Sequence, residues 1–194
     1  MDLLKMFKGR VNVSSSGYLH KNTPENVLNG NGYWATNRNY TYPGSDANAY
    51  MGSTRTLDIG GEFIDIAFPE PVFLEKIAIR AEDNAYLPGT MSLFGMDDTS
   101  QWTYLRSIAV GETILYAMKR YTRYRIVITD VFQGDYARID KIDMAGRTSI
   151  VFDVTGDNHA EHFTTMTAQY PSWIIPAALG ALFAWSASRV AMRR

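Results

Sequence analysis

Apolar and polar side chains alternate over residues 122–129, and this alternation leaves few folds open. The apolar side chains share one parity: Tyr124, Ile126 and Ile128. The polar side chains share the other: Arg123, Arg125 and Thr129. Because successive side chains of a β-strand point to opposite faces, the pattern predicts an antiparallel strand with one face in a core and the other in water.

Residues 61–80 predict two further strands. In the first, the apolar side chains share one face: Ile64, Ile66 and Phe68. Pro69 and Pro71 are expected to end this strand, because proline cannot donate to a central ladder. The second strand, 72–80, places two isoleucines on one face: Ile77 and Ile79.

Shorter strand candidates follow along the chain: 91–96, 102–105, 137–146 and 150–154. In 137–146, Ile139 has one parity and Ile142 and Met144 the other, which predicts a one-residue bulge near Asp140 or Lys141. Nothing between residues 11 and 155 sustains a helical period. Many short strands separated by turn residues predict an all-β sandwich or jelly roll.

The composition excludes several classes of protein. The chain has 194 residues, of which 46% are hydrophobic and 20% charged, enough for one packed core and an appendage. Its net charge of −1 gives no bulk attraction for nucleic acid, so no nucleic-acid partner is expected. The absence of cysteine excludes disulfides and thiolate metal sites. No nucleophile elbow or phosphate-cradling glycine loop is present, so no catalytic residue is assigned and an enzyme is not expected.

Four zones follow from these patterns. Residues 1–10 are a charged leader, expected to be a frayed tail, with a short helix on a membrane surface as the alternative. They do not have the pattern of a signal peptide. Residues 11–155 form the β domain, 156–169 a linker, and 170–194 a membrane anchor with a basic end. The linker carries His159 and His162 at helical spacing, but a metal needs three or four converging ligands, so no metal is assigned.

The predicted anchor lies in a stretch without charge, from Phe163 to Ser188. As a helix, residues 170–188 would rise roughly 28 Å, close to the ~30 Å thickness of a bilayer core. Tryptophans near both ends suit the membrane interfaces. The side chains expected to contact lipid are Trp173, Ile174, Ile175, Leu179, Leu182, Phe183 and Trp185. The alternative is a buried helix docked on the sandwich, which Pro176 favours.

The topology of such an anchor raises a conflict. Its terminal arginines favour a cytoplasmic C-terminus, whereas the lack of a signal peptide favours a cytoplasmic domain. A virion with an internal membrane, assembled in a cytoplasm, would relax this conflict. The chain is therefore expected to be membrane-associated, in such a virion.

Several segments match a known family in their order and spacing. They are Ser14–Ser16, Pro24–Gly30, Trp34, Glu62–Ile66, Val72–Ile79, Met91–Asp98, Trp102–Leu105, Tyr121–Ile128 and Arg138–Gly146. Together they resemble the discoidin family, also called the coagulation-factor type C domain, among the galactose-binding-like jelly rolls. The resemblance implies a binding module that holds glycans, lipid head groups or proteins with loops at one end of the barrel.

The resemblance also implies a structural calcium near the Asn29–Gly30 turn. Calcium requires several oxygen ligands, with carboxylates supplying charge. Asn29 stands at the usual aspartate position and Lys141 at the usual late glutamate position. We therefore expect calcium to be absent or weak, and assign no cofactor.

Two loops carry the candidate ligand-binding residues, because aromatic faces stack on sugars while amides and charged groups bond hydroxyls. In the loop 31–55 these residues are Tyr33, Arg38, Tyr40, Tyr42, Asn48 and Tyr50. In the second loop they are Asp83, Asn84 and Tyr86. Trp34 is expected in the core, and the alternative for the tyrosines is that they pack the first loop down. For the second loop, as for 130–136 with Gln133 and Asp135, the alternative is an ordinary solvated turn.

Two functions remain. The first is a non-catalytic, membrane-anchored subunit that joins other protein subunits in a larger assembly, such as a minor capsid protein. The second is a lectin-like attachment protein that binds glycan. The expected partners are accordingly protein subunits and membrane lipid in the first case, and glycan in the second.

Overall fold

The computed structural model describes residues 1–36, 42–43, 48–115 and 119–148. They belong to one compact unit, Met1–Ile150. The predicted strand 150–154, the linker with its two histidines and the predicted anchor 170–194 lie outside the described residues. Within the described ranges, no helix is both long and apolar enough to cross a bilayer.

The described residues are mostly β-structure, as predicted. The strands are β1 (Asn12–Ser15), β2 (Trp34–Ala35), β3 (Asn48–Ala49), β4 (Arg55–Thr56), β5 (Ile59–Gly60), β6 (Glu62–Arg80), β7 (Met91–Met96), β8 (Trp102–Ile108), β9 (Gly111–Ile114), β10 (Tyr121–Ile128), β11 (Asp130–Val131), β12 (Arg138–Ile139) and β13 (Lys141–Arg147). Helical structure is short: α1 (Leu3–Met6), α2 (Asn26–Asn29) and a 3₁₀ turn at Asn84–Tyr86.

Strand β6 takes part in both sheets of the fold. Its first half pairs antiparallel with β1 and β10, and β10 continues that sheet through β7 to the edge strand β8. Its second half pairs antiparallel with β13 and β9 in the other sheet. A single long strand thus passes from one sheet to the other, and the apolar faces of both contribute to one core.

The two prolines of β6 do not end the strand, so that prediction is wrong. The pairing with β10 shifts register at this point, and residues 68–71 have no one-to-one partner in β10. Proline lacks the N–H that a ladder needs, and at an irregularity no such donor is required. Pro69 and Pro71 therefore occupy the place where β6 changes sheets.

The alternating pattern identified the core faces correctly. The buried residues include all the predicted members: Ile64, Ile66, Phe68, Ile77, Ile79, Tyr124, Ile126 and Ile128. The opposite face of β10 is less exposed to solvent than predicted, however. Val127 is buried there, and Arg125 lies against Thr56 of the β4–β5 hairpin, with 3.0 Å between Nη1 and Oγ1. A short hairpin that covers the sheet therefore removes part of the predicted wet face.

The N-terminal segment is part of the core, and the expectation of a frayed leader is wrong. Leu3 and Phe7 are fully buried, and Phe7 packs edge-on against Phe68. The Asp2 carboxylate accepts from the Lys5 amide at 3.1 Å and caps helix α1. The two apolar side chains Leu3 and Phe7 thus face the chain's own interior.

The parity change in 137–146 has a different cause from the predicted bulge. Asp140 separates two strands that pair with different partners, β12 with β2 and β13 with β6. Ile139 and Ile142 on either side are both buried. Trp34, expected in the core, is fully buried and donates its indole N–H to the Gly17 carbonyl at 3.1 Å.

Candidate ligand-binding site

Two connections between the sheets lie side by side at one end of the sandwich. Residues 81–90 lead from β6 to β7, and residues 129–140 lead from β10 to β13. Ile128 of β10 pairs with Met91 of β7, so the start of the second connection lies beside the end of the first. Lys141 of β13 pairs with Arg80 of β6, so the end of the second lies beside the start of the first. Loops that start and finish on paired strands are held by the sheets themselves.

Two short segments from the first half of the chain join these connections. Strand β2 pairs with β12, and β3 pairs with β11. The Thr36 amide donates to the Ala137 carbonyl at 3.0 Å, and the Thr36 hydroxyl accepts from the Ala137 amide at 2.9 Å. We call the surface formed by residues 33–36, 48–50, 81–90 and 129–140 the crossover end.

Backbone hydrogen bonds hold the two connections to each other. The Gly89 amide donates to the Asp130 carbonyl at 3.0 Å, and the Thr90 amide donates to the Asp130 carboxylate at 2.8 Å. The Phe132 amide donates to the Leu87 carbonyl at 2.9 Å. These bonds pair backbone groups that in many loops bond only to water, so the chain itself fixes the shape of the crossover end.

Arg138 makes the densest set of polar contacts at the crossover end. Its guanidinium carbon lies 4.0 Å from the centre of the Tyr33 ring. Its Nη2 donates to Asp140 Oδ1 at 2.6 Å, and its Nη1 lies 3.7 Å from Asp83 Oδ2. Burial opposes its charge, but the hydrogen bond to Asp140 and the nearby acidic groups outweigh that effect and raise the pKa of Arg138. The second Asp140 oxygen accepts from the Glu82 amide at 2.8 Å.

Aromatic side chains complete this surface. Tyr86 stacks on Tyr136 with ring centres 4.0 Å apart and planes 14° from parallel. Phe132 is 60% exposed, which is unusual for a ring of its size, and Asn84 is exposed on the 3₁₀ turn. An exposed aromatic ring among fixed hydrogen-bonding groups can hold a small polar ligand that has one apolar face.

Two of the predicted ligand residues, Tyr33 and Asp83, lie against Arg138, and two more, Asn84 and Tyr86, follow Asp83 in the same connection. Tyr42 does not join them, and its prediction as a ligand contact is corrected. Its ring is fully buried, and its hydroxyl donates to the Ile128 carbonyl at 2.9 Å. Burial is also the main cause that raises the pKa of Tyr42 above its ordinary range.

The other predicted residues of the loop 31–55 make different contacts. The Tyr50 hydroxyl donates to Glu62 Oε1 at 3.2 Å and accepts from the Thr54 amide at 3.1 Å. Burial first, and then the Glu62 carboxylate, raise the pKa of Tyr50. Asn48 contributes its backbone to β3. The two other loop residues, Arg38 and Tyr40, lie outside the described residues.

Sequence reasoning missed three members of this surface: Phe132, Tyr136 and Arg138. Arg138 lies in a predicted strand, where the pattern of apolar residues indicates a core face and not a site. In the loop 130–136 the predicted candidates are polar, Gln133 and Asp135. A signal was present, because this loop also carries a phenylalanine and a tyrosine on either side of the turn sequence Gln133-Gly134.

The region of the expected calcium site contains a cavity of about 600 Å³. Its lining includes Asn29, Glu25, Asp143 and Lys141. The Lys141 ammonium lies 2.7 Å from Asp143 Oδ1, so the cavity holds a cation supplied by the chain. Across the described residues, no group of three or more acidic or histidine side chains is placed to hold a metal ion.

Comparison with solved structures identifies the fold. A family 32 carbohydrate-binding module of NanJ from Clostridium perfringens, solved with galactose, matches 70% of this chain and 93% of its own, at 14% identity and a TM-score of 0.50. A CBM32 module from a family 31 glycoside hydrolase of the same organism matches 72% and 92%, at 13% identity and a TM-score of 0.52. A further C. perfringens CBM32 module, solved with GalNAc-β-1,3-galactose, matches 74% and 99%, at 11% identity and a TM-score of 0.53.

At these identities the likeness establishes the fold. The chain has the galactose-binding-like jelly-roll fold that these modules share with discoidin domains, as its resemblance to the discoidin family implied. No protein-family description matches the sequence. No curated protein matches it either.

Proposed function

We propose that this chain is a non-catalytic glycan-binding domain and that the crossover end is its binding surface. The observation that carries the proposal is the exposed Phe132 ring, held on the same pair of connections as Asn84 and the Arg138–Asp83 pair. The fold supports it, since two of the similar structures are carbohydrate-binding modules solved with galactose or a galactose-containing disaccharide.

The chemistry of these groups suits a sugar. The face of a pyranose ring carries C–H groups that pack on an aromatic ring, and Phe132 offers such a ring to solvent. The Asn84 amide offers both donor and acceptor to sugar hydroxyls, and the Asp83 carboxylate offers acceptors. Because the connections are already bonded to each other, ligand binding would order little of the chain, which favours affinity.

A glycan array tests the proposal directly. The full chain, fluorescently labelled, is expected to bind a defined subset of immobilised glycans. Phe132→Ala should weaken that binding by about tenfold or more, since removing a stacking ring costs about 1–2 kcal/mol. Asn84→Ala should also weaken it, while leaving the thermal unfolding midpoint unchanged because Asn84 is exposed.

A matched control is available on the edge strand β8. Tyr104 is 44% exposed and aromatic, but it lies outside the crossover end, so Tyr104→Ala should bind like the wild type. A chain that binds no glycan would refute the proposed function. Binding that Phe132→Ala and Asn84→Ala leave unaltered would place the site elsewhere and refute the crossover end.

The predictions of a membrane anchor, a virion location and protein-subunit partners remain predictions. They depend mainly on residues 170–194, which lie outside the described residues. None of the described residues supplies an observation that favours an assembly subunit over a glycan-binding domain, so glycan binding is the function we propose.

A further inference from the structure

We infer that the crossover end selects neutral glycans against acidic ones such as uronic acids, an inference that rests on the proposed function. The charged side chains of the described crossover end are predominantly acidic. Five are carboxylates: Glu82, Asp83, Asp130, Asp135 and Asp140. One is a guanidinium, that of Arg138.

The guanidinium is already occupied by partners from the chain. Asp140 accepts from it at 2.6 Å, Asp83 lies 3.7 Å away, and Tyr33 covers one face at 4.0 Å. An acidic sugar that pairs with Arg138 would have to lie beside these two carboxylates or displace one of them. Displacing Asp140 would also disturb the bond that its second oxygen accepts from the Glu82 amide.

Cations next to the crossover end do not reverse this balance. Arg80 and Lys141, at the strand ends that border it, both lie close to Asp143, at 3.5 Å and 2.7 Å. The formal charge of the described crossover end therefore stays negative.

This balance distinguishes two classes of sugar. The hydroxyls of a neutral sugar donate hydrogen bonds, which carboxylate oxygens accept. A uronic acid carries a carboxylate that would lie among like charges and lose water without gaining a free cation. Repulsion of this kind is a common way for a site to reject one ligand while it accepts a close analogue.

Isothermal titration calorimetry on the full chain can test this selection with matched sugars. The probes are methyl galactoside and methyl galacturonide, with the corresponding gluco and manno pairs, which differ only at C6. In every pair whose neutral sugar binds, we expect the neutral sugar to bind about tenfold more tightly than its uronide at low salt. The difference should narrow as salt is raised, because charge repulsion is screened.

Charge-removing variants locate the effect. Glu82→Gln with Asp135→Asn should reduce the preference for the neutral sugar, because both substitutions keep shape and remove charge. Glu70→Gln is the control: Glu70 is exposed and lies at the Tyr121 end of β10, opposite the crossover end. Two results would overturn the selection and leave the proposed function standing. One is a uronide that binds as tightly as its neutral partner. The other is a Glu70→Gln variant that lowers the preference for the neutral sugar as far as the double variant does. Absence of binding by any sugar of these pairs and of the array would overturn the proposed function as well.

Discussion

Arg125 binds both carboxylate oxygens of Asp65 on the neighbouring strand, through Nε at 2.6 Å and Nη2 at 2.8 Å. Two aromatic rings enclose the guanidinium, with Phe63 at 3.6 Å and Trp102 at 4.3 Å from its carbon. The Asp65 side chain is only 5% exposed and that of Arg125 13%. The pair joins β6 to β10 on the face of the sheet that points away from the main core.

Removing one charge of this pair should destabilise the fold strongly. Asp65→Asn leaves the Arg125 charge without its partner in a nearly dry site, which should lower the free energy of unfolding by about 3 kcal/mol. Urea denaturation measures the change. Arg123→Gln, on the same strand and face but exposed, should change the free energy by less than about 0.5 kcal/mol. Equal effects of the two substitutions would show that the pair has no special role.

Tyr124 connects β10 to the second half of β6 through its hydroxyl. The hydroxyl donates to the Val72 carbonyl at 2.8 Å and accepts from the Leu74 amide at 3.1 Å. Tyr124→Phe leaves both backbone groups unpaired in a buried site and should cost about 1–3 kcal/mol. The Tyr104 hydroxyl is exposed, so Tyr104→Phe should lower the free energy of unfolding by less than about 0.5 kcal/mol in the same denaturation experiment.

The same tyrosine predicts a dependence on alkaline pH. Burial raises the pKa of Tyr124 above its ordinary value of 10, so the folded chain keeps this proton while the unfolded chain loses it. Its contribution to stability is therefore fully present below about pH 10 and declines above it, by up to about 1.4 kcal/mol per pH unit. Tyr124→Phe should make the decline between about pH 10 and pH 11 shallower, with Tyr42 supplying part of the remaining slope. Parallel curves for wild type and variant would contradict this.

The N-terminal helix should matter for stability because its apolar residues fill the core. Phe7→Ala removes a buried ring that contacts Phe68 and should cost about 3–5 kcal/mol. Met6→Ala is the matched control: Met6 is the last residue of α1, next to Phe7, its side chain is 39% exposed, and the change should cost less than about 1 kcal/mol. A frayed N-terminus would instead give two variants with wild-type thermal unfolding midpoints.

Alternation along single strands was sufficient to predict the all-β class and the buried face of β10, because the two-residue repeat of apolar side chains can be recognised within one segment of the sequence. The Arg125–Asp65 pair was not predictable in this way, since the partner lies on another strand. The path of β6 past Pro69 and Pro71 was missed for a similar reason. A proline is compatible with a strand wherever the ladder is irregular, and that irregularity belongs to the pairing between strands.

The candidate site was predicted in part. Residue type in turn-rich loops predicts Tyr33, Asp83, Asn84 and Tyr86. The structure places Tyr33 and Asp83 against Arg138, and Asn84 and Tyr86 in the same connection as Asp83. Tyr42 satisfied the same criterion, yet it is buried. Its hydroxyl bonds to Ile128, which is 86 residues away in the chain, and single-sequence patterns do not encode such a contact.

Nuclear magnetic resonance mapping of the bound glycan tests the central claim most directly. Backbone amide shifts would be followed while the full chain is titrated with the glycan that binds it most tightly on the array. We expect the largest shift changes to cluster in residues 33–36, 81–90 and 129–140 of the crossover end. Changes centred on the cavity beside α1 and α2, or no array glycan that binds at all, would contradict it.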